Sequence, residues 1–206
     1  MIILGLTGAI GVGKSFVASC FQRFGAAIFD ADATVHKIYQ SDELIINLAR
    51  DYFPDAVVDG AISRSILRKH FFQYSEKWQI FESKIHSLVL EKQNDFLIEE
   101  KKKNSKLVVL DVPLLIETKS HYECDFIIFV TVDSKLQNKR LIKRNLTAKE
   151  IDLFAKRQLA YHIKHKLLDF TINTSFNKGY TFSQVREIID CVTRNSEVVY
   201  DVSSSF

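Results

Sequence analysis

Five short apolar runs, Ile2 to Leu6, Ala26 to Phe29, Leu107 to Val112, Phe126 to Val132 and Phe170 to Asn173, punctuate an otherwise amphipathic chain. Each is mostly β-branched or aromatic and nearly continuous rather than alternating, the pattern of a strand buried on both faces of a parallel sheet. Between them apolar positions recur at three and four, the spacing of a helix with one buried face. The expected fold class is therefore α/β, a doubly wound parallel five-stranded sheet with right-handed crossovers.

Connection lengths supply the domain plan. A parallel crossover needs only about a dozen residues, yet 33–106 is several times longer and reads as wholly helical, so it is an inserted subdomain. Within it Ser75 is placed to cap a long helix whose Trp78, Phe81, Ile85, Leu88 and Val89 form a buried face. Lys101, Lys102 and Lys103 end that helix as a solvated terminus facing its dipole. A second excess, 134–169, begins with a helix from Ser134 to Arg144, continues with a capping-box pattern at Thr147 and Glu150, and reads as a lid. The core then comprises 1–32, 107–133 and 170–206, with Val198 to Phe206 as a peripheral tail.

Composition narrows the class. At 206 residues the chain is long for one domain and short for two, which suits one core carrying insertions. A formal charge of +3 demands no extended nucleic-acid surface, only a compact anionic ligand. Three widely spaced cysteines without a CxxC suggest neither a disulfide framework nor a zinc site. No basic leader precedes the first apolar run, and no run reaches the roughly 18 residues of a membrane span. A cytoplasmic monomer without membrane or nucleic-acid partners is expected.

The first strand runs into GLTGAIGVGKSF, where Gly8, Gly13, Lys14 and Ser15 satisfy GxxxxGK[ST]. Strand before and helix after are the setting that gives this spacing meaning. Glycines let backbone N–H groups approach phosphate oxygens, the helix N-terminus adds positive potential, and Lys14 supplies a mobile charge for the β and γ phosphates. Ser15 is a Mg²⁺ ligand through its hydroxyl. Gly8, Gly11, Val12, Gly13, Lys14, Ser15 and Phe16 thus form the expected ATP site of a P-loop NTPase-type core.

No guanine-reading NKxD is present, since Asn138-Lys139 leads into Arg140-Leu141, and Asp111 opens Asp111-Val112-Pro113 rather than DxxG. A small-molecule kinase fits better, because it must seat an acceptor beside the γ-phosphate and exclude water, which accounts for both insertions. Asp30 and Asp32 follow the second strand, where ligands bind in open α/β folds. Asp30 reads as the cap of the next helix and Asp32 as the carboxylate for an acceptor hydroxyl, although either could cap. Asp111, ending the third strand, is a second carboxylate, for Mg²⁺ or its water shell, and with Arg64 and Arg68 it is also counted on the acceptor side, while His86 on the long helix reads by position as a packing residue. Arg64 and Arg68, four apart, suit an acceptor phosphate or pyrophosphate. Arg140 and Arg144, also four apart, could both turn toward the transferring phosphoryl group; a solvated helix face would show the same spacing.

These residues resemble the dephospho-coenzyme A kinase family. The resemblance runs from the phosphate loop to Thr174 and is carried by GLTGAIGVGKSF, FDAD at Phe29 to Asp32, Ile85-His86, DVPLLIE at Asp111 to Glu117, Arg140 with Arg144, and Gln158. It implies a nucleotide-binding core, a helical acceptor domain and a lid, with ATP, Mg²⁺ and dephospho-CoA as ligands and the ribose 3′-hydroxyl as acceptor. It further implies Asp32 as base, Lys14 and Ser15 as phosphate and Mg²⁺ ligands, Arg140 as the lid arginine, and Arg64 and His86 on the acceptor side. Val12, Phe16, Ser87, Tyr161 and the Ile172-Asn173-Thr174 triplet depart from the residues usual in that family. Another nucleotide or nucleoside kinase, and a nucleotide-binding regulator with degraded catalysis, remain alternatives at this point.

Overall fold

The computed structural model describes residues 1–71, 76–118, 120–144, 151 and 165–201. In chain order the elements are β1 (Ile2–Gly8), α1 (Lys14–Arg23), β2 (Ala27–Asp30), α2 (Ala31–Ser41), α3 (Glu43–Tyr52), β3 (Val57–Val58), β4 (Ala61–Ile62), α4 (Arg64–Phe71), α5 (Glu76–Lys102), β5 (Leu107–Asp111), β6 (Phe126–Thr131), α6 (Ser134–Ile142), β7 (Phe170–Asn173) and α7 (Lys178–Asp201). The chain divides into two compact units, one made of Met1–Phe29 and the chain from Glu100 onward, the other of Asp30–Glu99.

The first unit is built on a five-stranded sheet in the order β2-β5-β1-β6-β7. β1 pairs in parallel with β5 on one side and β6 on the other, and β6 pairs in parallel with β7. The apolar runs become strands because both faces are covered: Leu4 to Gly8 of β1 and all of β5 are buried. Gly5 is a requirement of this centre, since a Cβ there would come within 2.5 Å of Leu115 Cδ2 and 2.8 Å of Cys124 Sγ. α1 and α7 pack together, with Phe24 stacked on Phe182 at 4.5 Å between ring centroids. Two aspartates close the starting edge of the sheet. Ile3 N–H donates to Asp125 Oδ2 and Ile127 N–H to Asp169 Oδ2, each at 2.7 Å.

The second unit contains α2, α3, α4, most of α5 and, contrary to a wholly helical expectation, a two-stranded antiparallel ribbon of β3 and β4. The ribbon turns at Asp59 and Gly60, whose φ values of 50° and 81° are left-handed, the backbone that Asp-Gly turns favour. Phe53 centres the core, edge-on to Phe81 at 5.6 Å and 6.0 Å from Trp78. Burial pushes the Tyr39 phenol up to about 12, against the lowering influence of Arg64.

α5 runs unbroken through Ser87, whose hydroxyl donates to Ser83 O at 3.0 Å. Trp78, Phe81 and Ile85 are buried as the spacing predicts, with Leu88 and Val89 partly covered. At its end Glu100 is buried and accepts from Lys103 Nζ at 2.7 Å and Ser105 Oγ at 2.5 Å, so Lys103 is an ion-pair partner, while Lys101 and Lys102 are exposed. The final helix continues to Asp201, into the stretch read as tail. Ser75, Thr147, Glu150, Gln158 and Tyr161 lie outside the described residues, as does most of the lid segment. Among the described residues no helix is long and apolar enough to cross a membrane.

Candidate active site

The chain leaves β1 at Gly8 and re-enters regular structure at Lys14, the first residue of α1. Gly11 and Gly13 have φ values of 82° and 97°, left-handed backbone that costs other residues strain. Gly13 is the N-cap and has no side chain to satisfy the first turn, so the helix opens with free N–H groups, the feature that receives anions. Phe16 N–H and Val17 N–H both bond to Gly13 O, at 3.0 and 3.2 Å, which leaves the N–H groups before them to an anion, and Val12 N–H turns back to Ala9 O at 3.4 Å.

Lys14 Nζ is ion-paired with Asp111 Oδ1 at the C-terminal end of β5, the two side chains being 13% and 5% exposed. The sequence treated these as separate candidates; the pairing of β1 with β5 brings them together. Leu6 lies opposite Asp111 in register, and each chain continues from there. Ser15 is exposed at the second helical position. Its hydroxyl is a hard oxygen donor at the mouth of the loop. That donor set suits Mg²⁺, which takes one or two protein oxygens and completes its shell with phosphates and water.

Behind the loop stands α6, started by Asp133, whose side chain accepts from Lys135 and Leu136 N–H. Leu141 fills the space beneath Gly11, where a Cβ would meet its Cδ2 at 2.9 Å. Gln137 Nε2 donates to Ile10 O at 2.8 Å. Arg140 Nη1 donates to Gly11 O at 3.3 Å, Val12 O at 3.0 Å and Thr174 Oγ1 at 3.0 Å, and Nη2 donates to Thr174 O at 3.0 Å. Arg140 is therefore held on the back of the phosphate loop. Arg144 lies beyond the helix: α6 ends at Ile142, Arg144 N–H bonds to Leu141 O in a tighter turn, and its side chain is exposed.

The strand end after β7 joins the same construction. The Thr174 hydroxyl donates to Val12 O. Asn173 turns its side chain inward on its own loop, accepting from Ser175 N–H at 2.9 Å. Gln184 of α7 grips the Asn173 backbone twice, accepting its N–H at 2.9 Å and donating to its carbonyl at 3.0 Å. Gln137 and Gln184 had no part in the sequence reading, since no local spacing marks them, and Thr174 entered it only within the Ile172-Asn173-Thr174 departure from the family pattern.

In the second unit Asp30 is the cap of α2, accepting Ala33 N–H at 2.9 Å. Asp32 lies in the first turn of that helix and is exposed. Arg64 and Arg68 are both exposed on α4, and His86 is half-buried on α5 beside the buried Ile85.

The family model for dephospho-CoA kinase matches residues 2–178. The chain is 49% identical over 195 residues to a dephospho-CoA kinase of Wolbachia pipientis wMel, covering 95% of this chain and 100% of that protein. It is 42% identical over 198 residues to a dephospho-CoA kinase of Ehrlichia chaffeensis, covering 96% and 98%. Its fold is similar to the solved dephospho-CoA kinase of Campylobacter jejuni, with a TM-score of 0.70 at 21% identity over 94% of this chain and 98% of that one.

Proposed function

The chain belongs to the dephospho-CoA kinase family of ATP-dependent kinases, and from that premise we propose that it transfers the γ-phosphoryl group of ATP to the ribose 3′-hydroxyl of dephospho-CoA. The products are CoA and ADP, the last step of coenzyme A synthesis. The observation that carries the donor half is the meeting of left-handed glycines, an open helix N-terminus and Lys14 in one loop. Such a loop offers phosphate oxygens several N–H donors and one mobile cation. Lys14 exchanges Asp111 for the β and γ phosphates, and Asp111 acts through that lysine. The Ser15 hydroxyl would hold Mg²⁺, which when bound supplies neutralising charge to the phosphates. Of the two arginines of the α6 region, Arg144 is exposed and free to meet developing charge, while Arg140 serves the donor through the loop it grips.

The acceptor half rests on the second unit. A ribose hydroxyl is a poor nucleophile and needs a base within about 3 Å. Asp30 is spent on capping, which leaves the exposed Asp32 for that proton. Arg64 and Arg68 take the pyrophosphate, and His86 lies on the same acceptor side. The protein acts in the cytoplasm as a monomer.

Purified protein given ATP, Mg²⁺ and dephospho-CoA should yield CoA with the new phosphate on the 3′-oxygen, read by mass spectrometry. It should leave AMP, dTMP, shikimate and pantothenate unphosphorylated. Faster phosphorylation of AMP or dTMP than of dephospho-CoA would overturn the assignment.

A further inference from the structure

Three successive carbonyls of the phosphate loop, those of Ile10, Gly11 and Val12, are pinned from outside by Gln137, Arg140 and Thr174. No cis peptide bond occurs among the described residues. In a planar trans peptide the carbonyl of one residue and the N–H of the next point in opposite directions. Pinning Ile10 O and Val12 O toward α6 and the end of β7 therefore aims the N–H groups of Gly11 and Gly13 the other way, as phosphate donors must be aimed.

The Thr174 hydroxyl is the junction of this brace. It is buried, accepts from Arg140 Nη1 and donates to Val12 O, using both its hydrogen-bonding capacities at once. The position is tight as well: a Cβ on Gly13 would lie 3.2 Å from Arg140 Nη1 and 3.3 Å from Thr174 Oγ1. We propose that Thr174, supported by Gln137, is a positioning residue for the nucleotide donor, setting the direction of the loop N–H groups through the Val12 carbonyl. This rests on the reading of the loop as the ATP site. A glycine-rich loop is conformationally loose by itself, and donors that are already oriented cost no reorganisation when the anion arrives. Loss of the brace should therefore appear as lost nucleotide affinity rather than as a general loss of fold.

The test compares wild type with Thr174→Val, which keeps the shape and removes the hydroxyl, Thr174→Ser, which restores it, and Gln137→Met. ADP affinity is measured by titration calorimetry, and KM for ATP and for dephospho-CoA by steady-state kinetics. Thr174→Val should weaken ADP binding and raise KM for ATP by about tenfold, the scale of one buried hydrogen bond, with KM for dephospho-CoA unchanged. Thr174→Ser should return ADP affinity close to wild type, and Gln137→Met should shift it in the same direction as Thr174→Val but less. A folded Thr174→Val with wild-type ADP affinity, or a serine variant as weak as the valine one, would overturn the proposal. If Thr174→Val does not fold, an unchanged ADP affinity in Gln137→Met overturns it. Wild-type protein that binds no ADP would instead bring down the donor-site reading itself.

Discussion

The ammonium of Lys14 rests on the carboxylate of Asp111, and the two side chains are almost wholly withdrawn from water. Lys14→Met should reduce phosphoryl transfer by at least about 10²-fold, the scale on which a single preorganised charge or donor matters. It should also destabilise the fold by about 3 kcal/mol, because the buried Asp111 carboxylate loses its neutralising cation. The double variant Lys14→Met/Asp111→Leu should regain most of that stability and none of the activity. Urea midpoints and turnover, measured side by side, separate the two effects; a double variant no more stable than the single one would contradict this account.

Asp30 and Asp32 should separate cleanly. Asp30→Ala removes an N-cap and should cost about 1 kcal/mol of stability. Asp32→Asn should leave the melting temperature and ADP affinity unchanged while lowering turnover by about 10² to 10⁴, the range for a lost general base. The reverse pattern would make Asp32 the structural residue.

Gly13→Ala tests the loop backbone. Its φ of 97° disfavours any Cβ by about 1 to 2 kcal/mol, and the added methyl would press on Arg140 and Thr174. ADP binding should fall well below that of wild type, by calorimetry, and a variant with full affinity would show that the loop tolerates another shape.

The legible parts of this fold were those set by local pattern. Strands such as β5 announce themselves because burial on both faces leaves no polar residue between Leu107 and Leu110. The β3–β4 ribbon escaped because two-residue strands are too short to alternate, although Asp59-Gly60 carried the turn signal. In the site, Lys14 and Ser15 are fixed by spacing within one loop, whereas Thr174 meets Val12 across 162 positions of sequence. Only the sheet order β1-β6-β7 brings them together. The four-residue spacing of Arg140 and Arg144 could not show that α6 stops at Ile142, so that Arg140 lies within the helix and Arg144 beyond its end.

Glu100 contributes stability that fades on the acid side. The hydrogen bond from Lys103, then that from Ser105, holds its carboxyl below the ordinary value of 4.5. A group lowered in the folded state stabilises fully above its unfolded value and loses that contribution as pH falls through the folded one. The stability difference between wild type and Glu100→Gln should therefore be largest near pH 6 and shrink below 4.5, read as urea midpoints. A difference independent of pH would assign the effect to packing alone.

The three thiols should react unequally. Burial pushes Cys124 up to about 12 and also raises Cys20, while Cys191 is exposed. Since the thiolate is the reactive form, a disulfide reagent at pH 8 should modify one cysteine in the folded protein, Cys191, and all three after denaturation. Rapid modification of Cys124 in the folded state would contradict its burial.

The grip of Gln184 on the Asn173 backbone also bears on how molecules of this protein meet one another. An open sheet ends in two edges, here β2 and β7, each four residues long, and an edge with unpaired backbone groups is a template onto which a second chain can add a strand. At the end of β7 the amide side chain of Gln184 occupies both the N–H and the carbonyl of Asn173, taking the place an invading strand would need. The same contact that fixes the turn after β7 thus closes one end of the sheet to intermolecular growth, and a Gln184→Ala protein should become the more prone to form β-rich aggregates on storage.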